Sequence, residues 1–380
     1  MKILFLLRAM ANVAGTERVM SDKINWLAER GHQIYLVSYE QGDHPISISL
    51  HPEVKFLDLN VRFFKLSNVP IIQKIWRYKQ MKCILRSRLQ HLVDSINPDD
   101  IVATTYSMKL LDVIAGLNTG ARKIMESHTA CYSVGKEYDF RSNPLMKLVG
   151  RIYDKYNYRH LHSLNMMIAL TKGDKSDWSH YIDNVKVIPN PLTYYPEKIS
   201  EKVSTHRILC VGRLNEQKGF DMLIDAFALI ASKCPEWHVD IYGRGEDEKQ
   251  LLSRIKDRSL EDRIGINMPI ANIFEEYQKS DFFVLSSRYE GFGLVLAEAM
   301  SCGTPCVSFD CKYGPNEIIK DGVDGLLAKS DDVYELSQKM LWMITHEKER
   351  LEMGRKARLS ASRFQKERVM LEWEQAYLSE

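Results

Sequence analysis

The densest chemistry in this 380-residue chain lies in Ser286-Ser287-Arg288-Tyr289-Glu290-Gly291-Phe292-Gly293-Leu294-Val295-Leu296-Ala297-Glu298-Ala299-Met300-Ser301-Cys302-Gly303-Thr304-Pro305. An apolar run ends near Leu285, two glycines let the backbone approach a ligand, and a helical pattern starts near Leu294 and stops at Gly303. Amides left free at such a helix start suit a phosphate or an electronegative sugar oxygen. Glu290 in the loop and Glu298 one turn into the helix can accept hydrogen bonds from ligand hydroxyls. Taken alone, the segment also reads as a glycine-shaped turn followed by a solvated helix. A second loop, Gly212-Arg213-Leu214-Asn215-Glu216-Gln217-Lys218-Gly219, carries two cations five residues apart that can flank a diphosphate. A third, Ala14-Gly15-Thr16-Glu17-Arg18, opens a helix after the run Ile3–Leu7. His128, in Met125-Glu126-Ser127-His128-Thr129, follows another strand, a setting in which a lone histidine is more often a satisfied core residue than a functional one.

Short apolar or β-branched runs separated by amphipathic helical patterns must position these residues, which predicts an α/β chain built on parallel sheets. The expected strands are Ile3–Leu7, Ile34–Ser38, Ile101–Thr104, Lys123–Met125 and Met167–Leu170, then Arg207–Val211, His238–Tyr242, Phe282–Leu285 and Pro305–Phe309. Around Ile188-Pro189-Asn190-Pro191-Leu192 and the polar run Glu197–His206 the apolar periodicity lapses, which places a hinge there. Residues 1–195 and 196–360 are therefore expected as two domains. The stretch Leu359–Leu378 has no Gly or Pro and reads as one uninterrupted helical pattern, so residues 361–380 are expected to return to the first domain.

The composition fits two globular cores, with 45% hydrophobic and 27% charged residues and only 32 of 380 positions Gly or Pro. A net charge of +2 conceals an asymmetry: residues 1–200 hold 27 Lys/Arg against 19 Asp/Glu, and residues 201–380 hold 25 against 31. The first half should meet a polyanion or an anionic surface. The N-terminal apolar run is too short for a signal-peptide core, and no stretch approaches the roughly 20 apolar residues of a membrane span. A cytoplasmic protein, at most lying on a membrane, is expected. Cys83, Cys131, Cys210, Cys234, Cys302, Cys306 and Cys311 lack a second closely spaced pair of the zinc-site kind and read as reduced apolar residues.

Together these residues resemble the family 4 retaining glycosyltransferases of the GT-B fold. The likeness rests on Glu290-x7-Glu298, Gly212-Arg213-x4-Lys218-Gly219, Gly15-x-Glu17-Arg18 and the trailing Glu298-Ala299-Met300-x-Cys302-Gly303-Thr304-Pro305. It covers nearly the whole chain and is strongest from Arg207 to Leu327; Ala14, where the family often has glycine, is a departure. The resemblance implies two Rossmann-like domains with a nucleotide sugar held mainly by the second. It makes Arg213 and Lys218 neutralise the diphosphate, Glu298 hold the ribose, Glu290 contact the transferred sugar, and the amides of Gly291, Phe292, Gly293 and Leu294 bind sugar and phosphate. Gly15 would approach the donor, and His128, matching the family's active-site histidine, would face the anomeric centre. A front-side retaining reaction follows from the family, with no enzymic nucleophile assigned; Glu290 as nucleophile is a minority reading. Family frequency favours UDP over GDP or ADP. No Asp-x-Asp is present to hold a metal on the donor, so no cofactor and no metal are expected.

Between Asp58 and Asp94 no acid occurs, while Arg62, Lys65, Lys74, Arg77, Lys79, Lys82, Arg86 and Arg88 mix with Phe63, Phe64, Ile75, Trp76 and Tyr78. A second basic series, Lys147, Arg151, Lys155 and Arg159, recurs at every fourth position of a helical pattern. Such segments suit the inner face of an anionic membrane and a lipid-linked or growing surface-polysaccharide acceptor, with Lys74, Arg77, Lys82, Arg86, Lys147 and Arg151 in contact. Nucleic acid is disfavoured by the acidic second half. The alternatives are a soluble sugar or protein acceptor, or a noncatalytic nucleotide-sugar or lipid-binding protein. A dinucleotide oxidoreductase would need Gly-x-Gly-x-x-Gly, which neither Gly15 nor Gly212 opens.

Overall fold

The structure is a computed structural model that describes residues 1–11, 15–66, 69–134, 152, 155–199, 203–270 and 272–378. It divides into two compact units, one of Met1–Pro189 with Met370–Glu380, the other of Asn190–Val369. The first change of unit falls between the prolines of Pro189-Asn190-Pro191, ahead of the 195/196 boundary read from sequence.

The first unit has a seven-stranded sheet of β1 (Lys2–Leu7), β2 (Gln33–Ser38), β3 (Lys55–Asp58), β4 (Asp100–Thr104), β5 (Arg122–Ser127), β6 (Met166–Ala169) and β7 (Val185–Val187), in the order β3-β2-β1-β4-β5-β6-β7. The second has six strands, β8 (Arg207–Val211), β9 (His238–Tyr242), β10 (Ile264–Asn267), β11 (Phe282–Leu285), β12 (Cys306–Asp310) and β13 (Gly325–Lys329), ordered β10-β9-β8-β11-β12-β13. Every pairing is parallel. Parallel strands covered on both faces need continuous apolar runs, and the central strands β1, β4, β6 and β11 are buried along nearly all of their length. The four strands that the sequence reading misses, β3, β7, β10 and β13, are the four outermost strands of the two sheets. An edge strand faces solvent on one side, and β3, β7 and β10 carry polar positions and lack the signal of a buried run; β13 is instead apolar over its first four residues, a short run that the sequence reading passes over.

Helices Gly15–Glu29, Ile71–Ile96 and Lys172–Trp178 pack in the first unit; Phe220–Ala228, Leu294–Ser301, Val333–Thr345 and Glu347–Ala361 in the second. The expected single helix over Leu359–Leu378 is two. A turn at Ser362–Phe364 and an extended Gln365, at φ −55° and ψ 141°, separate Glu347–Ala361 from Lys366–Leu378. Absence of Gly and Pro permits a helix without enforcing one: buried Ala361 and Phe364 anchor the break in the second unit, while the chain from Met370 onward belongs to the first. There Trp373 donates to the Pro189 carbonyl at 2.9 Å and Tyr377 meets Phe5 edge-on at 6.1 Å.

Candidate active site

In the second unit the strand order reverses between β8 and β11, which are hydrogen-bonded neighbours. Open parallel sheets offer a ligand crevice outside the strand carboxyl ends at such a reversal. The two loops found there are those singled out by their residues, Gly212–Gly219 after β8 and Ser286–Gly293 after β11. They are bonded to each other at several points. Lys218 Nζ donates to Glu290 Oε1 at 2.6 Å, and Ser287 Oγ donates to the same oxygen at 2.7 Å. Ser286 Oγ donates to the Lys218 carbonyl at 2.9 Å, and the Arg288 amide to the Gln217 carbonyl at 2.8 Å. Arg288 also grips Asp221 at 2.9 and 2.7 Å; burial pushes the Asp221 pKa up, but the guanidinium fork wins and holds it below the usual carboxylate range. Gly219 makes this approach possible. It lies at φ +61°, and a Cβ there would stand 2.1 Å from the Ser286 carbonyl oxygen.

Gly293, at φ +88°, turns the chain into the helix Leu294–Ser301. The Phe292 ring is buried edge-on against Phe364 at 5.5 Å, so only its backbone can serve a ligand. Gly291 and Leu294 are half-buried, and Arg213 is exposed with no side-chain partner among the described residues. Glu298 is buried and accepts a hydrogen bond from Tyr277 Oη at 3.1 Å. Burial, then the Glu298 charge, pushes the Tyr277 phenol well above its ordinary pKa, so it remains a donor. The geometry thus offers two cations, two carboxylates and a helix start, a set suited to holding a diphosphate and hydroxyls.

The first unit places His128 just beyond β5. Its Nε2 lies 2.9 Å from Glu126 Oε2, and Lys23 and Tyr377 both donate to the same carboxylate, Lys23 to Oε2 and Tyr377 to Oε1. Lys23 and Glu126 have no exposed side-chain surface, and His128 has 1%. The ring is enclosed, with Nε2 turned to Glu126. Burial raises the Glu126 pKa, but Lys23 and His128 outweigh it and bring it to about 2. Burial also lowers Lys23, opposed by Glu126, and lowers His128, which Glu126 opposes and Lys23 reinforces. The Lys23 ammonium lies 3.3 Å from the centre of the Trp373 ring.

Sequence reading passed over Lys23, Glu126, Tyr377, Ser287 and Tyr277. Signals existed for two of them: Lys23 sits among Val19, Met20, Ile24 and Leu27 on the buried stripe of its helix, and Glu126 is two residues before His128, hence on its side of the strand end. Gly15 opens the helix Gly15–Glu29 but is exposed, and a Cβ on it would meet nothing within 4 Å. Lys74 and Arg77 lie on the helix Ile71–Ile96, Arg77 exposed and Lys74 half-buried. Lys82 and Arg86 of that helix are engaged by their own unit: Lys82 pairs with Asp112, and Arg86 donates to the Gly116 carbonyl at 2.8 Å. Lys147 and Arg151 lie outside the described residues. Among the described residues no group of three or more His, Cys, Asp or Glu is placed to hold a metal, and the seven cysteines are free thiols.

Residues 195–360 match the family model described as Glycosyl transferases group 1. Over 374 residues the chain is 26% identical to an uncharacterised glycosyltransferase of Haemophilus influenzae, covering 98% of each protein. It is 25% identical over 372 residues to the amylovoran biosynthesis glycosyltransferase AmsD of Erwinia amylovora, again over 98% of both. Among solved structures, a mutant of S. aureus TarM in complex with fondaparinux, alpha-GlcNAc-glycerol and UDP superimposes with a TM-score of 0.77 at 15% identity over the whole of both chains. The two-sheet architecture is the GT-B fold.

Proposed function

We propose, from the match of residues 195–360 to the family model described as Glycosyl transferases group 1, that the chain is a retaining, metal-independent transferase. It moves a hexose or N-acetylhexosamine from a UDP-sugar to a lipid-linked or growing surface-polysaccharide acceptor. The observation that carries this reading is the pair of loops bonded together where the second sheet reverses, through Lys218 and Glu290, one loop carrying Arg213 and the other leading through Gly293 into a helix. Arg213 and Lys218 take the diphosphate, Glu298 the ribose hydroxyls, and Glu290 with the amides of Gly291–Leu294 the sugar. On donor binding Lys218 is shared between Glu290 and phosphate. These fixed charges stabilise the departing nucleotide diphosphate, the part a metal plays in other transferases. His128 contacts the sugar, and the departing phosphate oxygen helps deprotonate the acceptor. UDP stands in the TarM complex and amylovoran biosynthesis in the AmsD name, which supports a UDP-linked donor and a biosynthetic saccharide acceptor.

The acceptor assignment draws on the helix Ile71–Ile96. Ile75 and Trp76 are 56% and 61% exposed, beside Lys74 and Arg77. A tryptophan amid cations at an exposed helix end suits the interface of an anionic membrane, which supports reading the protein as lying on its cytoplasmic face. With Lys82 and Arg86 occupied by their own unit, Lys74→Glu, Arg77→Glu and Trp76→Ser together should abolish sedimentation with anionic vesicles; undiminished sedimentation would leave a soluble or protein acceptor as the better reading.

The activity itself is tested by a panel of UDP-, GDP- and ADP-sugars, read as released nucleotide diphosphate, with and without a polyprenyl-pyrophosphate-linked saccharide. Release should be fastest with one UDP-sugar plus the lipid acceptor and unchanged by EDTA. No release from any donor would leave a noncatalytic binding protein, and loss of activity to EDTA would overturn metal independence.

A further inference from the structure

Glu126 is the centre of a closed set of hydrogen bonds in the first unit. Its Oε2 receives the Lys23 ammonium and faces His128 Nε2 at 2.9 Å, and its Oε1 receives the Tyr377 hydroxyl. An ionised carboxylate only accepts, and an ammonium only donates. Protonated Glu126 would have to donate, either to the phenol or to the imidazole, while a buried cation stood beside it. With Glu126 ionised, Lys23 and Glu126 cancel; a protonated His128 would then add a net positive charge to a group without exposed surface. The arrangement that leaves neither an uncompensated charge nor opposed lone pairs has a neutral imidazole with its proton on Nε2.

We propose that Lys23 and Tyr377 are positioning residues which, through Glu126, hold His128 in the Nε2-protonated tautomer, so that Nδ1 meets a ligand hydroxyl as an acceptor. This rests on the reading that His128 contacts the transferred sugar. It sharpens that reading, because a ring whose proton is committed to Glu126 can receive a hydrogen bond from a sugar hydroxyl but cannot donate one to a phosphate oxygen. It also gives the last turns of the chain a task. Tyr377 lies 251 residues from Glu126 in sequence, on the helix whose Trp373 covers Lys23.

The test is the ring nitrogen spectrum of the full chain labelled with ¹⁵N-histidine at pH 7.5, with His128 assigned from the signal lost in His128→Gln. The proposal expects His128 with an unprotonated Nδ1 and a protonated Nε2. Tyr377→Phe and Glu126→Gln should move that ring toward mixed tautomers and lower kcat about 10- to 100-fold, with donor KM changed by less than about threefold, by analogy with the partners that orient metal-bound histidines. If Glu126→Gln leaves Lys23 too costly to bury and fails to fold, Tyr377→Phe carries the test. A wild-type His128 protonated on Nδ1 or on both nitrogens overturns the proposal. So does a Tyr377→Phe protein that melts earlier with its His128 signals unmoved, since that is what a purely structural tyrosine would do. Absence of turnover with every nucleotide sugar would defeat the functional reading alone, because the tautomer is read without substrate.

Discussion

Each unit keeps a lysine–glutamate pair near the carboxyl end of its sheet, and the two pairs differ in what surrounds them. Lys218–Glu290 joins two loops, with 18% and 7% of the side chains exposed; Lys23–Glu126 has none of either exposed. An ion pair that reaches solvent can exchange one partner for a ligand anion. A sealed pair cannot, and its use is to fix the geometry and protonation of whatever adjoins it, here His128. On the proposed function the open pair belongs to binding and the closed pair to positioning.

Stability separates them most strongly. Lys23→Met leaves Glu126 buried without its cation and should cost about 3–5 kcal/mol in urea unfolding. Lys218→Met, at a part-exposed pair, should cost only about 1 kcal/mol. Equal losses would erase the distinction. Turnover should respond in the opposite sense to packing: Glu290→Gln keeps the side-chain shape but weakens the hold on Lys218 and the sugar, so kcat should fall about 100-fold with little change in the unfolding midpoint.

A third buried carboxylate shows what the lysine contributes. Asp174 accepts from Ser127 Oγ at 2.5 Å, the Cys131 amide at 2.7 Å and Trp178 Nε1 at 3.1 Å, with no cation among these partners. Burial raises it to about 6 against those hydrogen bonds, whereas Glu126 sits at about 2. Between pH 4 and 6 folded Asp174 keeps a proton that the unfolded chain has released, so its contribution to stability falls as pH rises through that window. Asp174→Asn removes this slope. The wild-type melting temperature should lose ground to the variant from pH 4 to pH 7; a constant gap would contradict it. The smallest effect is expected at Tyr277→Phe, which removes one hydrogen bond to Glu298 and should cost about 1 kcal/mol with less than about a threefold change in donor affinity.

The same contrast explains what could be read from sequence. The open site is assembled from two contiguous, glycine-bounded loops, so Arg213, Lys218, Glu290 and Glu298 declare themselves by local spacing, although the direct Lys218–Glu290 bond across 72 residues does not. The closed set joins Lys23 to Glu126 across 103 residues and Tyr377 to Glu126 across 251, and no local pattern registers such a meeting. Its trace is a lysine on an apolar helix stripe. In the fold, central strands such as β1 and β11 are legible because burial on both faces demands apolar runs, while β3, with alternate residues exposed, carries no such demand.

The central claim is that the second unit holds the donor diphosphate through Lys218 and Arg213. Calorimetric titration of UDP into the wild type, Lys218→Met and Arg213→Ala tests it most directly. Binding to the wild type that persists in EDTA and weakens at least about 10-fold in each variant is the predicted result; equal affinity in all three proteins would contradict it.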